Sequence, residues 1–191
     1  MENLTDLLNI TYNNIRPQKG KVLISQPFMW DGCFSRSVVL ILDYSEKGTI
    51  GFILNKWLQQ AIDEVVGYSP AEKLQLSLGG PLATNTLHYI HSFDNIPFAI
   101  EIAKGLYYGG DLRQVLSQSI MKPENIRFFI GYAGWTGGQL DKELKTNSWL
   151  VGDIQPSQVF RQSNNLWRDS VRNMDDKYWI WTTFPENPAY N

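Results

Sequence analysis

Short runs of apolar residues, separated by turn residues, dominate the pattern of hydrophobic and polar positions along the chain. β-Branched residues are frequent in these runs, and runs of this length bounded by turns are typical of β-strands. The run at 37–42 is apolar at every position from Val38 to Leu42, so we expect this strand to be covered on both faces of a sheet. The predicted strands lie at 22–25, 37–42, 49–54, 74–78, 88–92, 98–103, 127–132, 148–154 and 178–184.

Apolar residues three or four positions apart predict the helices. Asp111 stands where an N-cap residue belongs, and Gln114 follows at the third position of a capping box. The link from Asp43 to Gly48 is short and polar, so the strands on either side are expected to form a hairpin. Helices are predicted over 1–16, where the pattern is amphipathic, near 58–66, from 111 onward, over 138–145 and over 157–173.

Hairpins mixed with crossover helices indicate the fold class α+β. We expect a single domain over residues 1–191 with a large mixed, partly barrel-like β-sheet flanked by helices. The tail at 185–191 contains proline and is expected to fray.

Composition narrows the function classes without selecting one. The 191 residues are 43% hydrophobic and 19% charged, which is ordinary for a globular protein and excludes a disordered or membrane-spanning chain. A net charge of −2 gives no general attraction to nucleic acid or anionic lipid, so neither is an expected partner. The single cysteine, Cys33, suits a reducing compartment, and no secretory signal is recognisable, so a cytoplasmic location is predicted.

Glycine clusters follow three of the predicted strands, at 79–80, at 109–110 and within GYAGWTGGQL at 131–140. The second and third lead directly into predicted helices, whose first N–H groups suit phosphate or carboxylate. Neither cluster has the spacing of a P-loop or of the dinucleotide fingerprint GxGxxG. Two interpretations stay open: the glycines permit positive φ and close packing, or they build a small-ligand site.

Arg36 lies directly before the strand that is apolar on both faces. It is either part of a structural ion pair with Asp31 or Asp43, or an arginine that holds an anionic ligand. Asp111 has a similar pair of interpretations, as a helix cap or as a ligand contact.

Glu143 shares a helix face with Gln139 in the predicted helix at 138–145. It is either a solvated helix residue or a general base or ligand anchor beside Trp135. All ligand-binding candidates are polar or aromatic side chains near the glycine turns and strand ends: Arg36, Asn55, Asp111, Tyr132, Trp135, Gln139 and Glu143.

Signals for catalysis or metal binding are weak. His88 and His91, the only histidines, would face opposite ways on a strand, and two ligands are fewer than a zinc site needs. Cys33 has no neighbouring base, and only Arg36 is close enough in sequence to favour a thiolate. No catalytic residue, metal site or cofactor is therefore predicted, and a non-enzymatic role is favoured over an enzyme.

Several motifs occur in order along the chain and together resemble one family. They are PxMxDxxFxRSVV (27–39), GTIGFILN (48–55), GGP (79–81), GLYYGGD (105–111), RFFIGYAGWxxGQLxxE (127–143) and NxW (147–149). This series resembles the YqgE/AlgH family of bacterial proteins over about residues 17–170. The sequence departs from the family at Trp57, where such proteins usually show a proline soon after the asparagine.

The resemblance implies an α+β fold with a large mixed sheet. Members of the family are described as uncharacterised proteins, some carry the label of transcriptional regulator, and no catalytic residues can be transferred. Regulation of transcription therefore rests on the family label alone, since neither a basic surface nor a DNA-reading helix is recognisable.

Two hypotheses follow from the residues themselves. Aromatic side chains reach 13% with seven tryptophans, which favours a non-enzymatic regulatory or protein-binding domain that meets a protein partner, or itself, through aromatic surface. The alternative is a small-ligand protein that binds a nucleotide, another phosphate or a similar anion at glycine-rich turns and helix N-termini.

Overall fold

The computed structural model describes residues 13–29, 31–62, 74–118 and 122–185. Within these ranges ten strands join in one sheet. The pairs are antiparallel except that β5 and β9 run parallel, so the mixed sheet and the α+β class are confirmed. The strands are β1 (Val22–Ser25), β2 (Val38–Ser45), β3 (Gly48–Ile53), β4 (Trp57–Ala61), β5 (Gln75–Leu78), β6 (Leu82–His91), β7 (Ile100–Ala103), β8 (Leu106–Tyr108), β9 (Ile126–Thr136) and β10 (Trp149–Gly152).

The sheet runs in the order β10-β1-β2-β3-β9-β6-β8-β7, and β5 joins it at β9 and carries β4. The strand β9 is the branch point, because its last residues pair with β3 and its first residues pair with β5 and β6. At the β10 edge, Asn13 donates to the carbonyl of Val151 and accepts from its N–H, which covers that edge.

The turn before β1 packs against the far end of the sheet. Gly20 has a φ of +86°, and a Cβ at this position would lie 2.9 Å from the carbonyl oxygen of Ile102 in β7. Only glycine combines this conformation with such a close approach. The sheet therefore curls until its two ends come near each other, although β7 and β10 are not paired in the described strand order.

Helices cover both faces of this sheet. The side that carries Leu40 and Phe52 packs against α3, α4 and the 3-10 helix, and the side that carries Val39 and Ile41 packs against α2. The strand β2 is thus buried on both faces, as its apolar run predicts. The helices are α1 (Leu112–Leu116), α2 (Gln139–Lys145), α3 (Pro156–Phe160), α4 (Leu166–Arg172) and the 3-10 helix Asp176–Thr183.

The β2–β3 hairpin forms as predicted, but four element predictions differ from the structure, in whole or in the part that the structure describes. Where a helix was expected near 58–66, Trp57–Ala61 forms β4, because its backbone pairs with β5; residues 63–73 lie outside the described ranges. The helix predicted over 157–173 is divided into α3 and α4, and the sequence SNN at 163–165 separates them. Residues 13–16 are not helical, and the rest of the helix predicted over 1–16 lies outside the described residues.

The segment predicted as a strand at 178–184 is the 3-10 helix. Tyr178 and Trp181 are buried whereas Trp179 is 57% exposed, so the buried positions are three residues apart. That spacing matches the three residues per turn of a 3-10 helix. Across the described residues, no helix is long and apolar enough to cross a membrane.

Candidate functional site

A polar cavity of about 440 Å³ lies where β2 begins, β3 has just ended and α4 starts. Three of its lining side chains are cationic and none is acidic, so its electrostatic field favours an anion. We call this space the Arg36 cavity. Its lining residues are Gly32, Ser35, Arg36, Asn55, Lys56, Asn164, Asn165, Trp167 and Arg168.

The backbone of Arg36 has a φ of +46°, a left-handed conformation that is unfavourable for a residue with a long side chain. Asn55 holds it there. The Asn55 Nδ2 donates to the carbonyl of Arg36 at 2.7 Å, and its Oδ1 accepts from the N–H of Val38 at 2.9 Å. The end of β3 thereby fixes the direction in which Arg36 leaves the start of β2.

The side chain of Arg36 is held by carbonyl groups and a ring. Its Nη2 donates to the carbonyl oxygens of Phe184 at 2.6 Å and Pro185 at 2.7 Å. Its guanidinium carbon lies 5.0 Å from the centre of the Trp167 ring. The ion pair with Asp31 or Asp43 is therefore not the arrangement observed: Asp31 accepts from the N–H of Cys33, and Asp43 lies toward the other end of β2.

Two further cations line the Arg36 cavity. Lys56, the residue after Asn55, extends its Nζ to 3.1 Å from the carbonyl oxygen of Ser35. Arg168 lies in the first turn of α4 and is half-buried. Together with Arg36 they place three positive charges around one space of ligand size.

A fourth cation, Arg127 of β9, lies behind the walls of the cavity at 2% exposure. It donates from Nη1 to the carbonyl of Val159 at 2.7 Å and from Nη2 to the carbonyl of Leu54, and its guanidinium stacks 3.7 Å from the Trp57 ring. Burial lowers the pKa of this guanidinium. Leu54 directly precedes Asn55, and Val159 precedes the loop that carries Asn164 and Asn165. Arg127 therefore connects the two segments that line the cavity.

The most specific sequence motif builds a separate feature. Glu143 Oε2 accepts from the indole nitrogens of Trp135 at 2.9 Å and Trp149 at 2.8 Å, and its Oε1 accepts from Gln139 Nε2 at 2.9 Å. Gln139 in turn accepts from the N–H of Thr136 at 3.0 Å. These four side chains, Glu143, Trp135, Trp149 and Gln139, are the Glu143 cluster, and within it both carboxylate oxygens are engaged.

Asp111 caps α1, accepting from the N–H groups of Arg113 at 2.9 Å and Gln114 at 3.3 Å. Tyr132 lines a shallow apolar groove of about 380 Å³ together with Ile50 and Leu82.

The seven candidates therefore do not converge on one place. Arg36 and Asn55 share the Arg36 cavity; Trp135, Gln139 and Glu143 share the Glu143 cluster; Tyr132 and Trp135 both line the groove; and Asp111 stands apart as a cap.

Sequence reasoning missed seven of the nine lining residues of the cavity, among them the four with cationic or amide side chains. Lys56 directly follows the motif that ends at Asn55, and the pair Asn164 and Asn165 marks the break inside a predicted helix. Arg168 lies inside the helix predicted over 157–173 and belongs to none of the sequence motifs. A turn-forming SNN sequence before a shortened helix is the signal that could have placed Arg168 at a helix start beside a loop.

The two histidines have separate environments. His91 is fully buried, with Nε2 2.9 Å from the carbonyl of Gly109 and Nδ1 accepting from the N–H of Phe93 at 3.2 Å. This arrangement requires the neutral ring with its proton on Nε2, and burial lowers the pKa of His91. Burial lowers the pKa of His88 as well, and its Nδ1 lies 3.1 Å from the Tyr108 hydroxyl.

Burial and the charge of Asp31 raise the pKa of the Cys33 thiol, so the thiolate that a nucleophile requires is disfavoured. Among the residues that the structure describes, no group of three or more histidine, cysteine, aspartate or glutamate side chains is arranged to hold a metal ion.

Comparisons with known proteins agree on one family. Proteins named UPF0301 are 39% identical in Bacteroides thetaiotaomicron, covering 98% of each chain, and 36% identical in Parabacteroides distasonis, covering all of each chain. A crystal structure of a Corynebacterium diphtheriae protein matches with a TM-score of 0.73 at 25% identity, over 89% of this chain and 94% of the other.

The solution structure of the AlgH protein from Pseudomonas aeruginosa matches with a TM-score of 0.66 at 23% identity, over 85% of this chain and 92% of that one. It supports the fold alone. The family model described as AlgH-like covers residues 22–179, from the first residue of β1 into the 3-10 helix. With most of its length matched in this way, the chain belongs to the AlgH-like family.

Proposed function

We propose that this chain is a non-enzymatic binding domain that takes up a small phosphate-bearing or similarly charged anion in the Arg36 cavity. The observation that carries the proposal is the lining of that cavity, where Arg36, Lys56 and Arg168 converge without an acidic side chain among the lining residues. A guanidinium presents paired donors to phosphate or carboxylate oxygens, and an ammonium adds a point charge.

The amide side chains in the same lining support binding rather than catalysis. Asn55, Asn164 and Asn165 can donate hydrogen bonds to an anion but cannot act as a general base at neutral pH. No carboxylate or imidazole is among the residues that line the cavity in the described part of the chain. The cavity therefore supplies the groups that hold an anion and not those that move its protons.

The test is a calorimetric titration of the full-length chain with inorganic phosphate and pyrophosphate. Arg168→Ala should weaken binding about tenfold, which corresponds to the loss of one charge-assisted hydrogen bond. Arg172→Ala is the matched control, because Arg172 lies one turn further along α4, is exposed and does not line the cavity. Equal affinity in the two variants, or no saturable binding by the unaltered chain, would reject the proposal.

A protein partner is the second candidate function, and a different observation favours it. Four tryptophans, at 135, 149, 167 and 181, are buried, so most of the aromatic excess serves the core. Phe98 is 90% exposed at a φ of +64°, and Ile100 beside it is 52% exposed. An apolar side chain held outward in this way suits a protein contact or self-association.

Phe98→Ser tests this second candidate through the molar mass measured by light scattering. A chain that self-associates through Phe98 should shift toward monomer, while an unchanged mass removes self-association at this site. A cytoplasmic location remains part of the proposal. Direct DNA binding is not proposed, since the net charge is −2 and only the family label suggests it.

A further inference from the structure

Arg36 serves two structures at once. Its side chain lines the Arg36 cavity, and its Nη2 also donates to the carbonyl oxygens of Phe184 and Pro185, which follow the 3-10 helix. Neither Phe184 nor Pro185 is among the residues that line the cavity. One guanidinium therefore stands between a space of ligand size and the C-terminal segment of the described chain.

We infer that the Phe184–Pro185 segment competes with the ligand for Arg36. Anion uptake then releases this segment, and the docked segment lowers the affinity for the anion. This inference rests on the proposed function and names its regulation. The two carbonyls occupy Nη2, and an anion that takes a paired hydrogen bond from the guanidinium through Nη2 must displace them, so each event opposes the other by an equal free energy.

The exchange is favoured by the chemistry of the two partners. The carbonyl oxygens of Phe184 and Pro185 are neutral acceptors that share one nitrogen, Nη2. A phosphate group carries full negative charge and can accept two parallel hydrogen bonds from a guanidinium. Once such an anion holds Arg36, the two carbonyls can turn to water, which satisfies them at the surface.

The Phe184–Pro185 segment is held more weakly than the 3-10 helix before it and can therefore detach. Before it, the 3-10 helix is fixed by Tyr178 at 1% exposure and Trp181 at 5%. After Trp181, Phe184 is only half-buried, and its ring lies 4.7 Å from the ring of Phe28. Release can therefore begin beyond Trp181 while the part of the 3-10 helix up to Trp181 stays packed on the sheet.

The experiment is a titration of the full-length chain with inorganic phosphate after the ring contact is removed from either side. Phe184→Ala and Phe28→Ala both weaken the docking of the segment without changing a residue that lines the cavity. Each should raise phosphate affinity about fivefold or more. Trp179→Ala is the control, because it removes an exposed aromatic ring from the same 3-10 helix and should leave the affinity unchanged.

Hydrogen exchange on the unaltered chain gives an independent reading. Phosphate should speed exchange at the amides of Thr183 and Phe184, whereas a purely structural contact would leave exchange unchanged or slow it. If the chain binds phosphate but both ring variants keep its affinity, the inference fails and the proposed function stands. If neither the chain nor any variant binds phosphate, both fail; if the ring variants do not fold, the exchange measurement decides.

Discussion

The Glu143 cluster and the Arg36 cavity each place a charged side chain beside tryptophan, yet they use the charge differently. In the cluster, the carboxylate of Glu143 accepts three hydrogen bonds from side chains around it, two of them from indoles. In the cavity, Arg36 lies with Lys56 and Arg168 around a space that contains no acidic lining side chain. The Glu143 carboxylate is held by neutral donors and supports the architecture, while the cavity gathers three positive charges that an anion would neutralise.

The comparison of the Glu143 cluster with the Arg36 cavity also shows whether a specific sequence motif marks a structural region or a ligand site. The motif at 127–143 is the most specific part of the sequence. Three of its side chains form the Glu143 cluster with Trp149 of the NxW motif, and the cluster joins β9, α2 and β10. The cavity residues come from less specific places, including a loop that has no motif. High motif specificity at these residues therefore points to folding rather than to ligand contact.

The largest expected effect is on stability at Glu143. Glu143→Ala leaves the buried indole N–H groups of Trp135 and Trp149 without acceptors, so the free energy of unfolding should fall by about 3 kcal/mol in urea titrations. Glu124→Ala, at an exposed position, should change it by less than about 0.5 kcal/mol. Anion affinity should stay the same. A similarly small effect of Glu143→Ala would contradict the structural role.

Asn55→Asp should lower both the stability of the fold and the affinity of the cavity for phosphate. The Asp oxygen can still accept from the N–H of Val38, but the donor to the carbonyl of Arg36 is lost, at a cost of about 1 kcal/mol in stability. The new carboxylate also introduces negative charge among the three cations, so phosphate affinity should fall more than about tenfold. Asn55→Ala should lose more stability and less affinity, and the reverse order would count against the cavity.

Asp111, a third charged candidate, tests whether a charge at a helix end supports stability or ligand binding. Asp111→Ala should lower the free energy of unfolding by about 1 kcal/mol, the usual value of an N-cap, without an effect on phosphate affinity. Asp111→Asn should restore most of that stability, because asparagine is also a good N-cap. Loss of phosphate binding in either variant would show that Asp111 belongs to the ligand site.

The smallest effect is a dependence on pH. Because the pKa of His91 is lowered by burial, the unfolded chain takes up a proton first, near its ordinary value of about 6.5. Stability should therefore be complete above that pH and fall as the pH drops toward the lowered pKa of the folded state. His91→Asn should reduce the change of the free energy of unfolding with pH, measured by urea titrations at a series of pH values. His88 contributes in the same direction.

Binding of sulfate, which keeps its charge over that range, separates the cavity from the histidines. Its affinity for the folded chain should be constant from pH 7 to 5, since the cavity lining contains no histidine. An affinity that followed the titration of His91 would connect the two regions.

Elements that depend on local patterns of burial and capping could be predicted from the sequence. The apolar run of β2 predicts a strand covered twice, and Asp111 predicts a cap, because each depends on neighbours close in the chain. The strand β4 was missed since its pairing with β5 depends on residues distant in sequence, which override local helical spacing. The aromatic 3-10 helix was missed because YWIWTTF has the composition of a strand, and only its three-residue burial period distinguishes it.

The candidate site was predicted in part, through Arg36 and Asn55. Arg168 and Asn165 come more than a hundred residues later in the chain, and only the packing of α4 against β1 and β2 brings them to the same space. Glu143 contacts Trp135, but the two interpretations of it, a solvated helix residue or a base or ligand anchor, did not include the second indole, Trp149, which also donates to its carboxylate. Convergence of distant segments is a tertiary property that local patterns do not encode.

The position of β1 between β2 and β10 has a consequence for synthesis of the protein. The strand β1 leaves the ribosome early, and its neighbour β2 soon follows, but the residues of β10 are made only after all nine other described strands. Throughout that interval one edge of Val22–Ser25, a fully buried strand in the finished fold, stays open to other chains. Released chains that end before residue 149 should therefore aggregate or require a chaperone, while released chains that extend past residue 152 can close this edge by themselves.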